Sequence, residues 1–340
     1  MFVPARIFYI GILAAALGFV VTRLSAPYII EALRRRGLTR RDAHKPGNPE
    51  VVHSGGIIIV LAFTVAMAVT LILIRDFYLG LKIAAVYSAA IICFLVGIYD
   101  DVKILSGKAK TLLTVLAVAP IIVAYLLYPK VIGLGHPVVP FIGKIRVTII
   151  YWAILPLAVA GPANLVNMLD IFNGVTPGMT LIASLALIAS AFILNSPLTW
   201  IIAAVLASIL AAYYPFNAYP ARVFNGDSGS LFIGGLLGAL AVVGHIEFVV
   251  LTLLIPHLIN GVLVLISFGG FKEHRRVKER PITVKNHVLE ASRDPRAPWT
   301  LTRLILLIGG PAREDEVSRF YIALETVPAL LAVITAVFMR

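Results

Sequence analysis

The chain has 340 residues, of which 60% are Ala, Val, Ile, Leu, Met, Phe, Trp, Tyr or Cys and only 14% are Asp, Glu, Lys or Arg. A soluble domain averages about 45–50% apolar and about 25% charged, so an excess of this size cannot be hidden from water in a core and points to a bilayer. The single Cys, Cys93, excludes an internal disulfide, and no Cys/His cluster has structural-zinc spacing. A formal net charge of +12 would suggest nucleic acid for a soluble protein, but in a membrane protein it reports loops beside anionic headgroups, and no nucleic-acid partner is expected.

A hydrocarbon layer about 30 Å thick requires roughly 20 apolar residues per helix. Ten such runs occur, near 7–30, 54–74, 81–98, 111–128, 148–169, 177–194, 199–214, 229–245, 248–268 and 319–338. They predict an all-α polytopic membrane protein of about ten transmembrane helices, a single domain over residues 1–340, with an extended last cytoplasmic loop. The first run continues into Tyr28-Ile29-Ile30 without a small-residue cleavage pattern and is expected to remain as a helix. The alternate loops 31–53, 99–110, 170–176, 215–228 and 269–318 hold 20 of the 29 Lys and Arg. By the positive-inside rule these loops are cytoplasmic and both termini lie outside. The loop 269–318 turns apolar from Leu301 to Leu307 and is expected to fold over the cytoplasmic face.

The unusual polar residues fall in the same loops. Asp100 and Asp101 follow the apolar run Phe94-Leu95-Val96-Gly97-Ile98, at the negative end of a helix dipole, where two acids call for a lysine or a metal. The alternative is that they cap the next helix or sit at headgroup level. In NLVNMLDIFNG, Asn164, Asn167, Asp170 and Asn173 recur at i, i+3 along one helical face and should line a polar cavity, the alternative being helix–helix hydrogen bonding. In FNAYPARVFNGDSGS, Gly226 and Gly229 flank Asp227 and Ser228 before an apolar span, which suits metal-phosphate binding or simple N-capping. The run GFKEHRRVKERP gathers Lys272, His274, Arg275, Arg276, Lys278 and Arg280, as a phosphate site or an inner-leaflet anchor. Carboxylates and amides for a hard cation, with basic groups for phosphate, describe phosphoryl transfer between a soluble and a lipid-borne substrate. No GxxxxGK[ST] motif occurs, against an ATP-driven pump.

From KPGNPE through DDVKILSGKAK, NLVNMLDIFNG, YPARVFNGDSGS, IPHLIN, LEAS and GGPARE, the chain resembles the polyprenyl-phosphate N-acetylhexosamine-1-phosphate transferases, the glycosyltransferase 4 family. Within them it looks most like the branch using UDP-N-acetylglucosamine and dolichyl phosphate, in its archaeal form. The bacterial cell-wall branch carries a His-rich motif in the last loop, whereas His274 here stands without such a cluster.

The resemblance implies Mg²⁺, or Mn²⁺, held by Asn167 and Asp227, with Asp100, Asp101 and Lys110 as the catalytic group beside it. It implies substrate contacts from Glu50, Asn164, Asp170, Asn173 and Phe224, the last with Asn173 around uracil. Pyrophosphate and the acetamido sugar would meet Arg276 with Lys278, or Lys278 with Arg280. Asp170 stands where the bacterial branch also has Asp and the eukaryotic branch a small residue.

The expected reaction gives lipid-pyrophosphate-N-acetylglucosamine and UMP, as the first step of lipid-linked oligosaccharide synthesis for protein N-glycosylation, in an archaeal plasma membrane. Expected partners are UDP-N-acetylglucosamine, dolichyl or another polyprenyl phosphate and the bilayer, and a homodimer is left open. The alternatives are the same chemistry on undecaprenyl phosphate or another UDP-hexosamine, and a secondary transporter or flippase.

Overall fold

The structure is a computed structural model that describes residues 3–45, 47–268, 279–285 and 287–340. The chain opens with α1 (Ala5–Arg35), a short hairpin of β1 (Thr39–Arg41) and β2 (Glu50–Val52), then α2 (Gly56–Leu73) and α3 (Phe77–Lys103). The fourth span, Gly107–Leu127, is built from α4 (Gly107–Val115), one 3-10 turn over Leu116–Val118, and α5 (Ala119–Leu127). The tightening falls beside Pro120, which has no N–H for the helical ladder. After α6 (Pro129–Ile132) and the hairpin β3 (Val138–Val139) and β4 (Gly143–Lys144) come α7 (Thr148–Leu169), α8 (Val175–Ile193), α9 (Pro197–Asn217) and α10 (Gly226–Gly244).

The ninth apolar run divides into α11 (Glu247–Leu253) and α12 (Ile255–Phe268), bent by 69°. Pro256, second in α12, has no N–H to donate across that break. Beyond it lie β5 (Ile282–Lys285), β6 (Val288–Ala291), α13 (Leu301–Gly309), β7 (Ala312–Arg313) and α14 (Glu314–Phe338). The three strands form one antiparallel sheet in the order β5-β6-β7. Among the described residues, nine helices are long and apolar enough to cross a membrane, and the bent pair makes up to ten. The chain is an integral multi-pass membrane protein.

Two boundaries differ from the sequence expectation in ways that matter. α3 runs on to Lys103, so Asp100 and Asp101 occupy its last turns and not a loop. α7 stops at Leu169, so the i, i+3 face ends at Asn167, and Asp170 and Asn173 lie in a turn closed by Gly174 at φ +81°. Only a residue tolerant of the left-handed region closes that turn cheaply.

α10 is the axis of the bundle, buried along nearly its whole length against α3 and α7. Lipid supplies no hydrophobic drive between helices, so close van der Waals approach through small residues must hold them. A Cβ on Gly97 of α3 would lie 2.4 Å from the Asp227 carbonyl oxygen and 2.6 Å from Ser228 Cα. The outward faces stay apolar and exposed, as at Leu24, Ile72, Leu112, Ile149 and Leu330, which suits lipid contact.

The described residues of the five basic-class loops converge on one end. Phe224 N–H donates to the Val52 carbonyl (2.7 Å), Gly55 N–H to the Phe224 carbonyl (2.8 Å) and Arg40 Nη2 to the Asp101 carbonyl (3.0 Å). Arg6 Nη2 meets the Leu73 carbonyl (2.9 Å) and Phe141 N–H the Phe338 carbonyl (2.9 Å) at the other end, so both outermost spans start or finish there. A second apolar cluster, with Leu169, Phe172, Leu289, Leu301, Leu306 and Tyr321, seats the last loop over the basic end.

Gly97→Val should destabilise the protein by about 1–3 kcal/mol, the usual range for overpacking, read as a lower melting midpoint in detergent. Gly107→Ala, whose added Cβ meets nothing within 4 Å, should leave that midpoint unchanged.

Candidate active site

The first amides of a helix have no partner inside it, and a carboxylate there also gains from the dipole. α10 takes that carboxylate from another span. Asp101 Oδ1 accepts from Asp227 N–H (2.8 Å), and Oδ2 accepts from the Ser228 hydroxyl (2.6 Å) and Ser228 N–H (3.3 Å). Gly226, at φ +74°, sits so close that a Cβ would lie 2.7 Å from Asp101 Oδ2. The sequence reading of Asp227 or Ser228 as an N-cap is thereby refined: both lie inside the first turn, and α3 caps them.

Asp100 faces the other way. Its Oδ1 accepts from Leu105 N–H, closing the end of α3, and its Oδ2 lies 2.8 Å from Lys110 Nζ. Lys110 stands in the first turn of α4, which Ser106 caps through Ala109 N–H (3.2 Å). The same ammonium reaches Asp227 Oδ2. Asn167 of α7 completes the group, its Nδ2 donating to Asp227 Oδ1 (2.6 Å) and Ser230 Oγ (2.9 Å). Five predicted residues, Asp100, Asp101, Lys110, Asn167 and Asp227, therefore meet from four spans, and of the lysine or metal expected beside the acids at the end of α3, Lys110 pairs with Asp100.

Beside this group opens a polar cavity of about 240 Å³, lined among others by Asp170, Asn173, Phe224, Asn225 and Asp227. Asn225 Nδ2 donates to Asp170 Oδ2 (3.3 Å). Burial nevertheless pushes the Asp170 carboxyl up to about 7. His44 and His53 also line the cavity, and burial lowers the pKa of both, against the opposing pull of Asp42 and Asp101.

Asn173 is pinned from two sides. Its N–H donates to Glu314 Oε1 (3.1 Å) and its Nδ2 to Asp42 Oδ2 (3.3 Å). Lys45 Nζ bonds Asp42 and lies 3.8 Å from Glu314 Oε2 and 4.7 Å from the Tyr219 ring centroid. Among the described residues, Asp42, His44 and Glu314 form a group close enough to ligate a cation. The Lys45 ammonium already supplies positive charge there, so this cluster reads as an ion-paired clamp. Sequence reasoning passed over Asp42, His44, Lys45, His53 and Glu314. Lys45 and Glu314 stand in the motifs KPGNPE and GGPARE, but 269 positions separate them and nothing in either motif announces the other.

Other predicted residues lie elsewhere. Asn164 ties α4 to α7, with Nδ2 donating to Thr114 Oγ1 (2.8 Å) and the Ala160 carbonyl (2.8 Å), which is the helix–helix alternative. Glu50 is exposed on β2 and accepts from Thr39 Oγ1 (3.2 Å) within its own hairpin. Arg280 lines a second cavity of about 730 Å³ with His44, Met168 and Asn260. Arg276 and Lys278 lie outside the described residues, as does His274.

Asp101→Asn places an amide nitrogen against a cluster of donors, so a stability loss of about 1–3 kcal/mol is expected from unsatisfied buried groups. Ser228→Ala removes one of those bonds and should cost about 1 kcal/mol. Melting in detergent ranks the two.

The family profile described as glycosyl transferase family 4 matches residues 83–245, which include the five converging residues. A protein of Sulfolobus acidocaldarius, provisionally named UDP-N-acetylglucosamine–dolichyl-phosphate N-acetylglucosaminephosphotransferase, is 34% identical over 263 residues, covering 74% of this chain and 76% of the relative. A Saccharolobus solfataricus protein with the same provisional name is 28% identical, covering 83% and 88%. The phospho-N-acetylmuramoyl-pentapeptide-transferase of Clostridioides difficile is 27% identical, covering 86% and 91%. Likeness at this level, over this much of the chain and across the residues that build the site, means that the protein belongs to glycosyl transferase family 4.

Proposed function

We propose that this protein transfers N-acetylglucosamine-1-phosphate from UDP-N-acetylglucosamine to dolichyl phosphate, releasing UMP, as the entry step of lipid-linked oligosaccharide synthesis for protein N-glycosylation. The observation that carries the reading is the meeting of Asp100, Asp101, Lys110, Asn167 and Asp227 at one end of the bundle. A transporter would place such groups near the midplane. The relatives' names supply the substrates, and the basic loops support a cytoplasmic position for this end, with both termini outside.

A lipid phosphate oxygen attacks the sugar-linked phosphorus, forming one P–O bond while the bond to the UMP oxygen breaks. A phosphomonoester is largely dianionic at pH 7, its second pKa being about 6, so the attacking group needs no protein base. Asp100 is committed to Lys110 and the end of α3, and Asp101 to the start of α10. Their task is to hold Lys110 and Asp227 in place before substrate arrives, which is how preorganised charge lowers a barrier. Lys110 can turn its ammonium toward the phosphates from between the two acids. Asn173 and Phe224, lining the polar cavity, suit the uracil, while the adjoining cavity with Arg280 offers room for the sugar.

The donor set fits a hard divalent cation. Mg²⁺ favours one or two carboxylates completed by water and substrate phosphates, and the Asp227 carboxylate with the Asn167 side-chain amide, turned so that its oxygen replaces the Nδ2 that donates to Asp227, is such a sparse set, in a spot that already draws an ammonium. When bound, Mg²⁺ or Mn²⁺ would neutralise charge on the phosphate oxygens.

Detergent-solubilised protein given UDP-N-acetylglucosamine, dolichyl phosphate and Mg²⁺ should release UMP, and EDTA should abolish the release. Asp227→Ala and Asn167→Ala should each lower it about 10²-fold or more, whereas activity within a few-fold of wild type would overturn the ligand assignment. Undecaprenyl phosphate and other UDP-hexosamines in the same assay decide the acceptor and sugar.

Glu314→Gln keeps an acceptor for Asn173 N–H but removes the charge facing Lys45. It should raise KM for the sugar nucleotide roughly 3–10-fold and leave kcat within about twofold, the signature of lost ground-state binding.

A further inference from the structure

Helix α13 reads LTRLILLIG, and its single charge is turned inward. Arg303, buried, donates to the carbonyls of Ser292 (3.1 Å), Asp294 (3.0 Å) and Ala297, and its guanidinium lies 4.5 Å from the Trp299 ring centroid. One face, with Leu301 and Leu306, packs into the second apolar cluster. The C-terminal end of the helix presents hydrocarbon alone: Leu307 is 45% exposed and Ile308 81%. Just upstream, Trp299 is 43% exposed and held in orientation by Arg303. In water this would be an uncompensated apolar patch.

The patch runs into a surface the spans already give to lipid. Trp299 N–H donates to Ser267 Oγ (2.8 Å) near the end of α12, next to Ile266, which is 75% exposed on that bent half-span. Phe320, the first exposed apolar residue of α14, lies one turn past the charged start of that helix. Arg293 is exposed in the segment before α13, and Arg296, Arg313 and Arg319, though ion-paired with Asp294 and Asp315, keep exposed side chains in the segments on either side, within reach of lipid phosphates. Exposed apolar residues at the end of a short helix and an exposed Trp just before it, with arginines in the flanking segments, match a segment that dips into the headgroup–acyl boundary.

We propose that α13 docks on the bilayer, with Trp299, Leu307 and Ile308 in lipid, and so fixes the last loop over the site. Pro298, Thr300 and Thr302, from the same segment, form part of the wall of the 730 Å³ cavity. The surface that holds α13 therefore also shapes that wall.

The test is site-directed spin labelling of Leu307→Cys and Ile308→Cys in vesicles of phosphatidylcholine and phosphatidylglycerol. Cys93 is buried, so the native chain is the unlabelled control. Labels at Ile72→Cys and Lys285→Cys give the lipid and aqueous references. Both α13 labels should match the Ile72 position, open to oxygen and shielded from a water-soluble nickel chelate. Nickel access like that at Lys285 would overturn the proposal in favour of a solvated helix. Shielding from both quenchers would overturn it in favour of a protein partner, including a second copy of this chain. The readout needs no turnover, so its failure is distinct from failure of the transferase reading.

Discussion

The carboxylate of Asp101 at the start of α10 is the contact on which the site depends. It comes from the last turn of one buried helix and satisfies the first turn of another, 126 residues later. Because Gly97 and Gly226 leave no Cβ between the two backbones, α3 and α10 meet closely enough for that carboxylate to bond two amides and a hydroxyl. Asp227 is then oriented as a consequence, since its own N–H is one of the bonded groups. Asp100, the neighbouring residue, points its carboxylate to Lys110 instead. One dipeptide thus joins two spans and orders two charges.

Around this contact the first and last loops are fastened by buried charge. Lys45, Asp42 and Glu314 bind the hairpin after α1 to the beginning of α14, with Asn173 between them. Such a cluster gains little net stability, because desolvation offsets much of the Coulomb attraction. Its effect is geometric. It holds the turn after α7 against two segments far away in sequence, and Asn173 cannot leave its place without breaking bonds to both.

Much of the fold was legible because lipid imposes a length on every span, and ten apolar runs stand clear of polar breaks. The Asp100–Asp101 pair was also legible, since acids at a negative helix end demand a counter-charge. Spacing alone was less informative. Asn164 and Asn167 share one helical face, yet the first ties two helices and the second touches Asp227, because Thr114 lies opposite one and α10 opposite the other. The i, i+3 pattern ran past the true end of α7, where Gly174 turns the chain. Glu50 belongs to a matching motif but spends its carboxylate within its hairpin. The clamp through Glu314 depends on contacts that no local pattern encodes.

The charge of the site sets its own requirement. Asp100 and Asp227 share a single ammonium from Lys110, while Asp101 is balanced by the start of α10 and burial disfavours the charged forms of His44 and His53. In the proposed reaction, phosphates entering the cavity add negative charge to a group already short of positive charge, so attraction must come from the divalent cation and from further cations around it. Arg40, bonded to the end of α3, and Arg280, at the second cavity, are described cations placed to supply it. Both belong to loops and not to spans, where a charge is cheap to keep because water can reach it. In the proposed reaction the spans hold the acids and Lys110 in place, and Arg40 and Arg280 add positive charge from the loops.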